Sequence, residues 1–240
     1  MADICFSYYW FLDEEETEIT SIRIYGLDKH NKNICLRIED FTPYVYLELP
    51  LKDNKGVKIN WKNNVQLLGN KLDDMLREYK PLKKKLIYKH KLYGAEIDID
   101  GNKKEFPYLL CSFSNKNDYK SLIYIVRKPI FIFGVGQINL KIHEHDASPV
   151  LQFISCRDIP SAGWLKFKGD LVTGDEKITI CDREYIVSHK NVCKYEKNTV
   201  GKPKIMGFDI EVNSTNPSAM PRSDKQGDKI FQVSCVFAKE

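Results

Sequence analysis

The sequence predicts an α+β chain of two domains, rich in strands at its start, and three observations lead there. Aromatic and β-branched residues crowd the opening stretch in short runs broken by turn residues, as in antiparallel strands. Helical periodicity follows in only a few places, each bounded by a cap residue or a proline. A polar stretch near residue 200 then gives way at once to a strongly apolar run, which marks a change of domain.

In chain order, strands are expected at Ile4–Leu12, Ile19–Leu27, Ile34–Ile38 and Tyr44–Leu49, with turns at Asp28–Asn33 and Asp40–Pro43. They begin an antiparallel sheet. A helix is expected at Asn63–Tyr79, where Val65, Leu68, Leu72, Met75, Leu76 and Tyr79 recur at helical spacing and Pro81 stops it. Strands at Leu82–Leu92 and Phe106–Phe113 flank a polar loop carrying Asp100-Gly101. A second helix runs from Asp118, its expected cap, to Arg127, and Pro129 leads into a short strand, Ile130–Phe133. Counted from Tyr44, the order is strand, helix, strand, strand, helix, strand. That is the ferredoxin-like βαββαβ arrangement also used by RNA-recognition modules, here spanning about residues 43–134.

Beyond it, Asp146–Cys156 is expected as a short helix with Asp146 as cap and Pro149 in the first turn. Strands at Trp164–Lys168, Lys177–Cys181 and Glu184–Ser188 lead to a linker, Lys194–Lys202. The first domain is placed at 1–200 and the second at 201–240.

Composition narrows the function classes. The chain of 240 residues is 42% hydrophobic and 12% aromatic, enough for a sizeable core. A net charge of +4 permits nucleic-acid binding without demanding it. The seven cysteines are odd in number and form no Cys-x-x-Cys pair, which fits a reduced intracellular protein without structural zinc. No apolar run has the length of a membrane span, and Met-Ala-Asp-Ile lacks the pattern of a signal peptide, so the protein is expected to be soluble and not secreted.

Asp209 and Glu211 are the leading candidates for chemistry. Residues two apart on a strand share a face, so the pair sets two hard oxygen ligands side by side. Two Mg²⁺ or Mn²⁺ ions about 4 Å apart, as used in phosphodiester cleavage, need several such carboxylates. Spacing alone decides little, because Asp13 and Glu15 repeat it in an acidic run. Context adds more: Ile205, Met206, Phe208, Ile210 and Val212 read as a buried strand in a covered sheet, where ionised carboxylates need a partner or a metal. A metal site and a strand-end pair facing water both remain open.

Nucleic-acid contacts are sought on the predicted sheet. Tyr44 and Tyr46 share one face of its first strand, Phe106 and Tyr108 one face of its third, where bases could stack. Packing against another domain explains these rings equally, and the Gly-rich RNP1 pattern is absent from Phe106–Phe113. Lys83, Lys84, Lys85 and Lys89, with His90, Lys91, Tyr88 and Tyr93, form the densest basic patch. They could meet phosphates or simply solvate a strand edge. His143 and His145 flank Glu144 at a spacing open to a metal, but no cysteine or further histidine lies nearby.

Several segments together resemble a known family. Phe208-Asp-Ile-Glu211, with the later Asp228–Ser234, is similar to the first exonuclease motif and next strand of B-family DNA polymerases. Phe41-Thr-Pro-Tyr-Val-Tyr-Leu-Glu48 resembles the family's Gly-Phe-x-Pro-Tyr-Phe-Tyr segment, and Leu92-Tyr-Gly94 its Ile-Tyr-Gly turn. His145-Asp-Ala-Ser148 with Leu151-Gln-Phe153 is similar to Tyr-Glu-Ala-Asn followed by Leu-Arg-Phe, and Gly163-Trp164 to the family's Gly-Trp turn. Ser148, Gln152 and the long polar insertion Asn213–Gly227 depart from the pattern. The likeness is to delta-type catalytic subunits and their relatives in large DNA viruses.

The resemblance implies a replicative DNA-directed DNA polymerase with 3′-to-5′ proofreading, in which Asp209 and Glu211 ligate the catalytic Mg²⁺ or Mn²⁺. It implies a template-primer DNA substrate, the remainder of the polymerase and a sliding clamp as partners, and a nuclear or cytoplasmic viral replication site. The other exonuclease motifs and the palm, fingers and thumb would follow Glu240. The chain is therefore expected to be an N-terminal domain plus the first strands of a ribonuclease H-like exonuclease domain, inactive alone and without tight metal binding. A truncation, a partial gene product or half of a split polymerase would account for it. A stand-alone single-stranded nucleic-acid-binding module is the alternative; a complete small nuclease lacks the downstream carboxylates.

Overall fold

The computed structural model describes residues 2–13, 19–91, 96–97 and 100–238. The predicted turn at residues 92–94 and the acidic run at 14–16, Glu15 included, lie outside them. The chain is a mixed, strand-rich α+β protein that divides into two compact units, Met1–Asn198 and Thr199–Glu240.

The first unit holds a closed five-stranded barrel. Strands β1 (Asp3–Asp13), β2 (Ser21–Asp28) and β3 (Asn33–Ile38) form an antiparallel meander, as the alternating apolar residues anticipate. The chain then leaves the barrel and returns to it more than a hundred residues later. In between, β4 (Tyr44–Glu48), α1 (Trp61–Leu76), β5 (Lys83–His90), β6 (Glu105–Ser112) and α2 (Asp118–Ile125) build a second layer. The hairpin β7 (Ile130–Ile132) and β8 (Gly136–Ile138), the strand β9 (Lys141–His143) and α3 (Pro149–Arg157) complete the excursion. Strands β10 (Gly163–Val172) and β11 (Arg183–Lys194) close the barrel in the order β1-β10-β11-β3-β2, with β11 parallel to β3.

The barrel interior is filled by Ile22, Ile24, Ile34, Leu36, Ile38, Leu165, Phe167 and Val187, and Phe153 of α3 joins the same core. Its ring lies edge-on to Phe41, 5.4 Å between centroids. Ser148, not Asp146, caps α3, accepting the Val150 N–H at 3.3 Å; a proline next to the cap leaves only the following amides to satisfy. Asn60 caps α1, which begins two residues earlier than expected, and accepts from the Lys62 N–H at 3.1 Å. Asp118 opens α2 without capping it, and Asn115 accepts its N–H instead.

The second layer is an antiparallel sheet, β5-β6-β4-β9, with α1 and α2 contributing to the core on one face. Val45, Leu47, Leu109 and Cys111 point into that core, where they join Leu68, Leu72, Tyr119 and Leu122. The predicted fourth strand needs correction. Ile130–Phe133 does not border β4; Ile130–Ile132 folds back on Gly136–Ile138, and Lys141–His143 takes the edge beside β4. Gly134 and Gly136, at φ 80° and 110°, supply the left-handed backbone that reverses the hairpin. Lys177–Cys181 is also not a strand: the carboxylate of Glu184 takes the backbone N–H groups of Ile178 and Thr179, which a ladder would need.

The second unit is a two-stranded antiparallel ribbon, β12 (Ile205–Asn213) with β13 (Lys229–Ala238). The intervening polar loop closes on Asp228, which accepts from the Thr215 N–H, the Thr215 hydroxyl and the Arg222 N–H at 2.8–2.9 Å. These bonds hold the Asp228 carboxyl below its usual range. The expected burial of β12 is not observed: Phe208 is 68% exposed, and its neighbours on both faces are open. With β13 as its one strand partner and no helix over either face among the described residues, nothing covers the apolar side chains.

Candidate carboxylate pair and a basic aromatic cleft

Strand β12 sets Asp209 opposite Ser234 and Glu211 opposite Gln232, so the two carboxylates project one pleat apart on one face. Both are exposed, and neither forms an ion pair among the described residues. Asp209 Oδ1 accepts the N–H of Ile210 at 2.9 Å. Their cross-strand neighbours, Ser234 and Gln232, are neutral. Two carboxylates cannot by themselves complete a coordination shell, and no group of three or more His, Cys, Asp or Glu suited to a metal occurs among the described residues.

The other candidates lie on the four-stranded sheet. On β4, Tyr44, Tyr46 and Glu48 alternate with the core residues Val45 and Leu47, and so occupy the face away from the helices. Phe106 and Tyr108 of β6, Lys89 of β5 and His143 of β9 share that face by register: Lys89 pairs with Phe106, Glu48 with Tyr108, and Tyr46 with His143. Together Tyr46, Glu48, Lys89, Lys91, Tyr108 and His143 line an open cleft of about 530 Å³, with His90, Lys141 and Glu144 also in its lining.

Of the sequence-selected residues, Tyr46, Tyr108 and Lys89 reach the cleft, and Phe106 lies beside it under Lys91. Lys83 and Lys85 are on the same face, farther along β5. Lys84 faces the other way. Its ammonium bonds to the Gly69 carbonyl at 3.0 Å and to the Asp73 carboxylate on α1, which engages it on the helix side of the sheet. Tyr44 is also withdrawn: its hydroxyl lies 3.2 Å from Cys156 Sγ and its ring packs on the barrel core. Burial and the neighbouring Cys156 push its phenol up in pKa.

Glu48, Lys141 and the place of His143 in the cleft went unrecognised in the sequence, because only the β4–β9 register assembles them. His143 and His145 do not share a metal. His143 Nε2 meets Glu48 at 3.0 Å, whereas His145 pairs with Asp146. Burial alone would raise the Glu48 carboxyl; Lys91, at 2.5 Å, and His143 more than offset this and hold it below its usual range.

Comparison with known proteins places this geometry. Residues 140–240 match the model of the DNA polymerase family B exonuclease domain, which includes both carboxylates. DNA polymerase 037L of Invertebrate iridescent virus 6 is 35% identical over 99% of this chain. Over nearly its whole length the chain is similar to viral DNA polymerases. DNA polymerase 120R of Invertebrate iridescent virus 3 is likewise 35% identical over 97% of the chain, and the DNA polymerase delta catalytic subunit of Plasmodium falciparum is 23% identical over 94%. The chain spans about a fifth of the length of these family B relatives, 20% and 21% for the two iridescent-virus proteins. The family B DNA polymerase of Pyrobaculum calidifontis has the same fold, with a TM-score of 0.64 at 14% identity over 98% of this chain and 25% of its own. Near full-length alignment with polymerases disfavours the reading as a stand-alone binding module. No helix among the described residues is long and apolar enough to cross a membrane.

Proposed function

We propose that this chain forms the N-terminal region and the opening of the proofreading domain of a DNA-directed DNA polymerase with 3′-to-5′ exonuclease activity. The observation that carries the reading is the Asp209 and Glu211 pair, on one face of a strand inside the stretch that matches the exonuclease model. Their anionic oxygens suit Mg²⁺ or Mn²⁺, and neither carboxylate is held in an ion pair among the described residues. A divalent ion held there would supply Lewis-acid stabilisation and an activated water for phosphodiester cleavage. Asp209 and Glu211 act as ligands, and tight binding requires further ligands from outside the described residues.

The antiparallel order β5-β6-β4-β9, with α1 and α2 on one face, supports a ferredoxin-like unit whose last strand is Lys141–His143. The division near residue 198 supports domains at 1–200 and 201–240, with β12 and β13 opening a ribonuclease H-like sheet. Template-primer DNA is the proposed substrate and the rest of the polymerase the proposed partner, with a sliding clamp suggested by the family resemblance. Viral relatives favour an intracellular replication site.

The test uses the polypeptide encoded by the complete gene, assayed for nucleotide incorporation and for release of 3′-terminal nucleotides. Asp209→Ala with Glu211→Ala should reduce release at least a hundredfold, roughly the loss seen when a catalytic contact is removed, while incorporation persists. Undiminished release in the double variant contradicts the assignment.

A further inference from the structure

We propose that Gln232 and Ser234 of β13 are positioning residues for Asp209 and Glu211, a neutral hydrogen-bonding pair that orients the two carboxylates toward a divalent cation. This rests on the reading of Asp209 and Glu211 as ligands. The starting observation is where polar side chains fall in the ribbon. Within Ile205–Val212 only Asp209 and Glu211 carry polar side chains, and within Ile230–Ala238 only Gln232 and Ser234 do, Cys235 counting as a small apolar residue. The register sets Asp209 opposite Ser234 and Glu211 opposite Gln232, so the polar residues of both strands gather in one square on one face. Gly207 and Val236, the next pair on that face, bring no polar group. Solubility alone would be served by polar residues at any exposed position of the ribbon and does not require the two pairs to coincide.

Local geometry fixes the square. The register shifts between Glu211 and Val212, so that Val212 faces Ile230 and Phe231 is the inserted residue. A bulge at that point sets the register of the adjoining Glu211–Gln232 pair and re-aims the side chains beside it. Gln232 Nε2 donates to the Ser234 hydroxyl at 3.3 Å. A hydroxyl that accepts one bond keeps its own hydrogen to donate, and Asp209 is the residue across from it. Asp209 Oδ1 already accepts the Ile210 N–H at 2.9 Å. A carboxylate has about four acceptor sites, so a further bond from β13 still leaves sites for a cation.

The neutrality of the pair suits this role. An ammonium or guanidinium opposite the carboxylates would cancel the charge that attracts the cation, and an apolar residue would leave them free to rotate. An amide and a hydroxyl do neither. Hydrogen-bonding partners of metal ligands are worth about 10–100-fold in metal affinity or activity.

The experiment uses the polypeptide encoded by the complete gene and follows Mn²⁺ binding by electron paramagnetic resonance, alongside release of 3′-terminal nucleotides. Asp209→Ala with Glu211→Ala should abolish part of the Mn²⁺ binding, which identifies the metal held by the pair. Gln232→Leu with Ser234→Ala should weaken that binding about tenfold and raise the Mn²⁺ concentration for half-maximal release by the same factor. Release at saturating Mn²⁺ should stay within about twofold of the parent, as expected when only the metal's binding is weakened. Ser234→Ala alone should give a smaller loss, and Ser234→Thr, which keeps the hydroxyl, should match the parent. Val236→Ala, which trims another exposed side chain on the same face of β13, should also match it. Circular dichroism and nucleotide incorporation confirm that each variant is folded. If the carboxylate variant binds as much Mn²⁺ as the parent, the ligand reading fails and this proposal with it. If that variant loses Mn²⁺ but Gln232→Leu with Ser234→Ala binds it as the parent does, the positioning role alone is overturned. A loss in Val236→Ala as large as in Gln232→Leu with Ser234→Ala would overturn it too, because the packing of the ribbon would then account for the effect.

Discussion

Gln152 holds Tyr44 by both of its backbone polar groups. Its Oε1 accepts the Tyr44 N–H at 3.1 Å and its Nε2 donates to the Tyr44 carbonyl at 2.7 Å, so one side chain of α3 replaces a strand partner at the start of β4. Gln152 is 2% exposed, and water cannot readily substitute for it. Gln152→Ala leaves the two groups unpaired and should cost about 2–6 kcal/mol, at about 1–3 kcal/mol for each buried group. Urea denaturation followed by tryptophan fluorescence measures this directly, since Trp10, Trp61 and Trp164 all lie in the first unit. An unchanged midpoint would show that the bonds are dispensable.

A second prediction concerns acid stability. Glu184 is fully buried, yet its carboxylate accepts from Arg37 at 3.0 Å, from the Thr179 hydroxyl at 2.7 Å and from the Thr179 N–H at 2.9 Å. Burial would raise its pKa, but these donors more than offset that and hold it below the usual carboxylate range. A carboxyl lowered in the folded state stabilises the fold above its unfolded pKa, about 4.3, and loses that contribution as pH falls through its folded value. Stability of the parent chain should therefore fall more steeply below about pH 4 than that of Glu184→Gln. Arg37→Met leaves the buried carboxylate without its cation and should cost toward the lower end of about 3–5 kcal/mol, because the Thr179 donors remain. Urea midpoints across pH 3 to 7 check both expectations.

What was legible in the sequence is what is local. The β1–β3 meander, α1 and α2 follow from side-chain periodicity and nearby stop signals, and the common face of Asp209 and Glu211 follows from the two-residue period of a strand. The parallel pairing of β3 with β11 was not legible, because it joins Ile34 to Arg183 across a long excursion and leaves no pattern in either segment. The edge strand beside β4 is hidden in the sequence because Lys141–His143 contains a single apolar residue, Ile142, whereas the apolar Ile130–Phe133 has the pattern of a strand. An apolar run shows that a strand needs cover, not that cover is present, so the pattern of β12 predicts a burial that is not observed. The cleft failed for the same reason as the barrel: Glu48 and His143 meet only through register.

A third prediction tests the closeness of the barrel seam. A Cβ on Gly26 would lie 2.4 Å from the Phe6 carbonyl oxygen, a backbone atom in the paired strand that cannot swing aside. Gly26→Ala should destabilise the first unit by about 1–3 kcal/mol through overpacking. Gly207, on β12, has nothing within 4 Å of the same position, and Gly207→Ala should leave stability unchanged or slightly raised. Equal midpoints for Gly26→Ala and the parent would mean that the two strands can separate without cost.

The seven cysteines should divide sharply by reactivity. Cys156, Cys193 and Cys235 are exposed, whereas Cys5, Cys35, Cys111 and Cys181 are buried and no disulfide joins them. Burial pushes the thiols of Cys5, Cys35 and Cys111 up to about 12, and at Cys35 the nearby Cys181 and Glu184 add to the shift. The thiolate is the nucleophile, so at pH 8 a thiol of that pKa is ionised in only about one molecule in ten thousand. Access is blocked as well. Iodoacetamide at pH 8 should therefore add three groups to the native chain within minutes, and seven after unfolding in urea. Peptide mass mapping should find the three at Cys156, Cys193 and Cys235. Early modification of Cys5, which lines the barrel interior, would mean that the barrel opens far more readily than its packing implies.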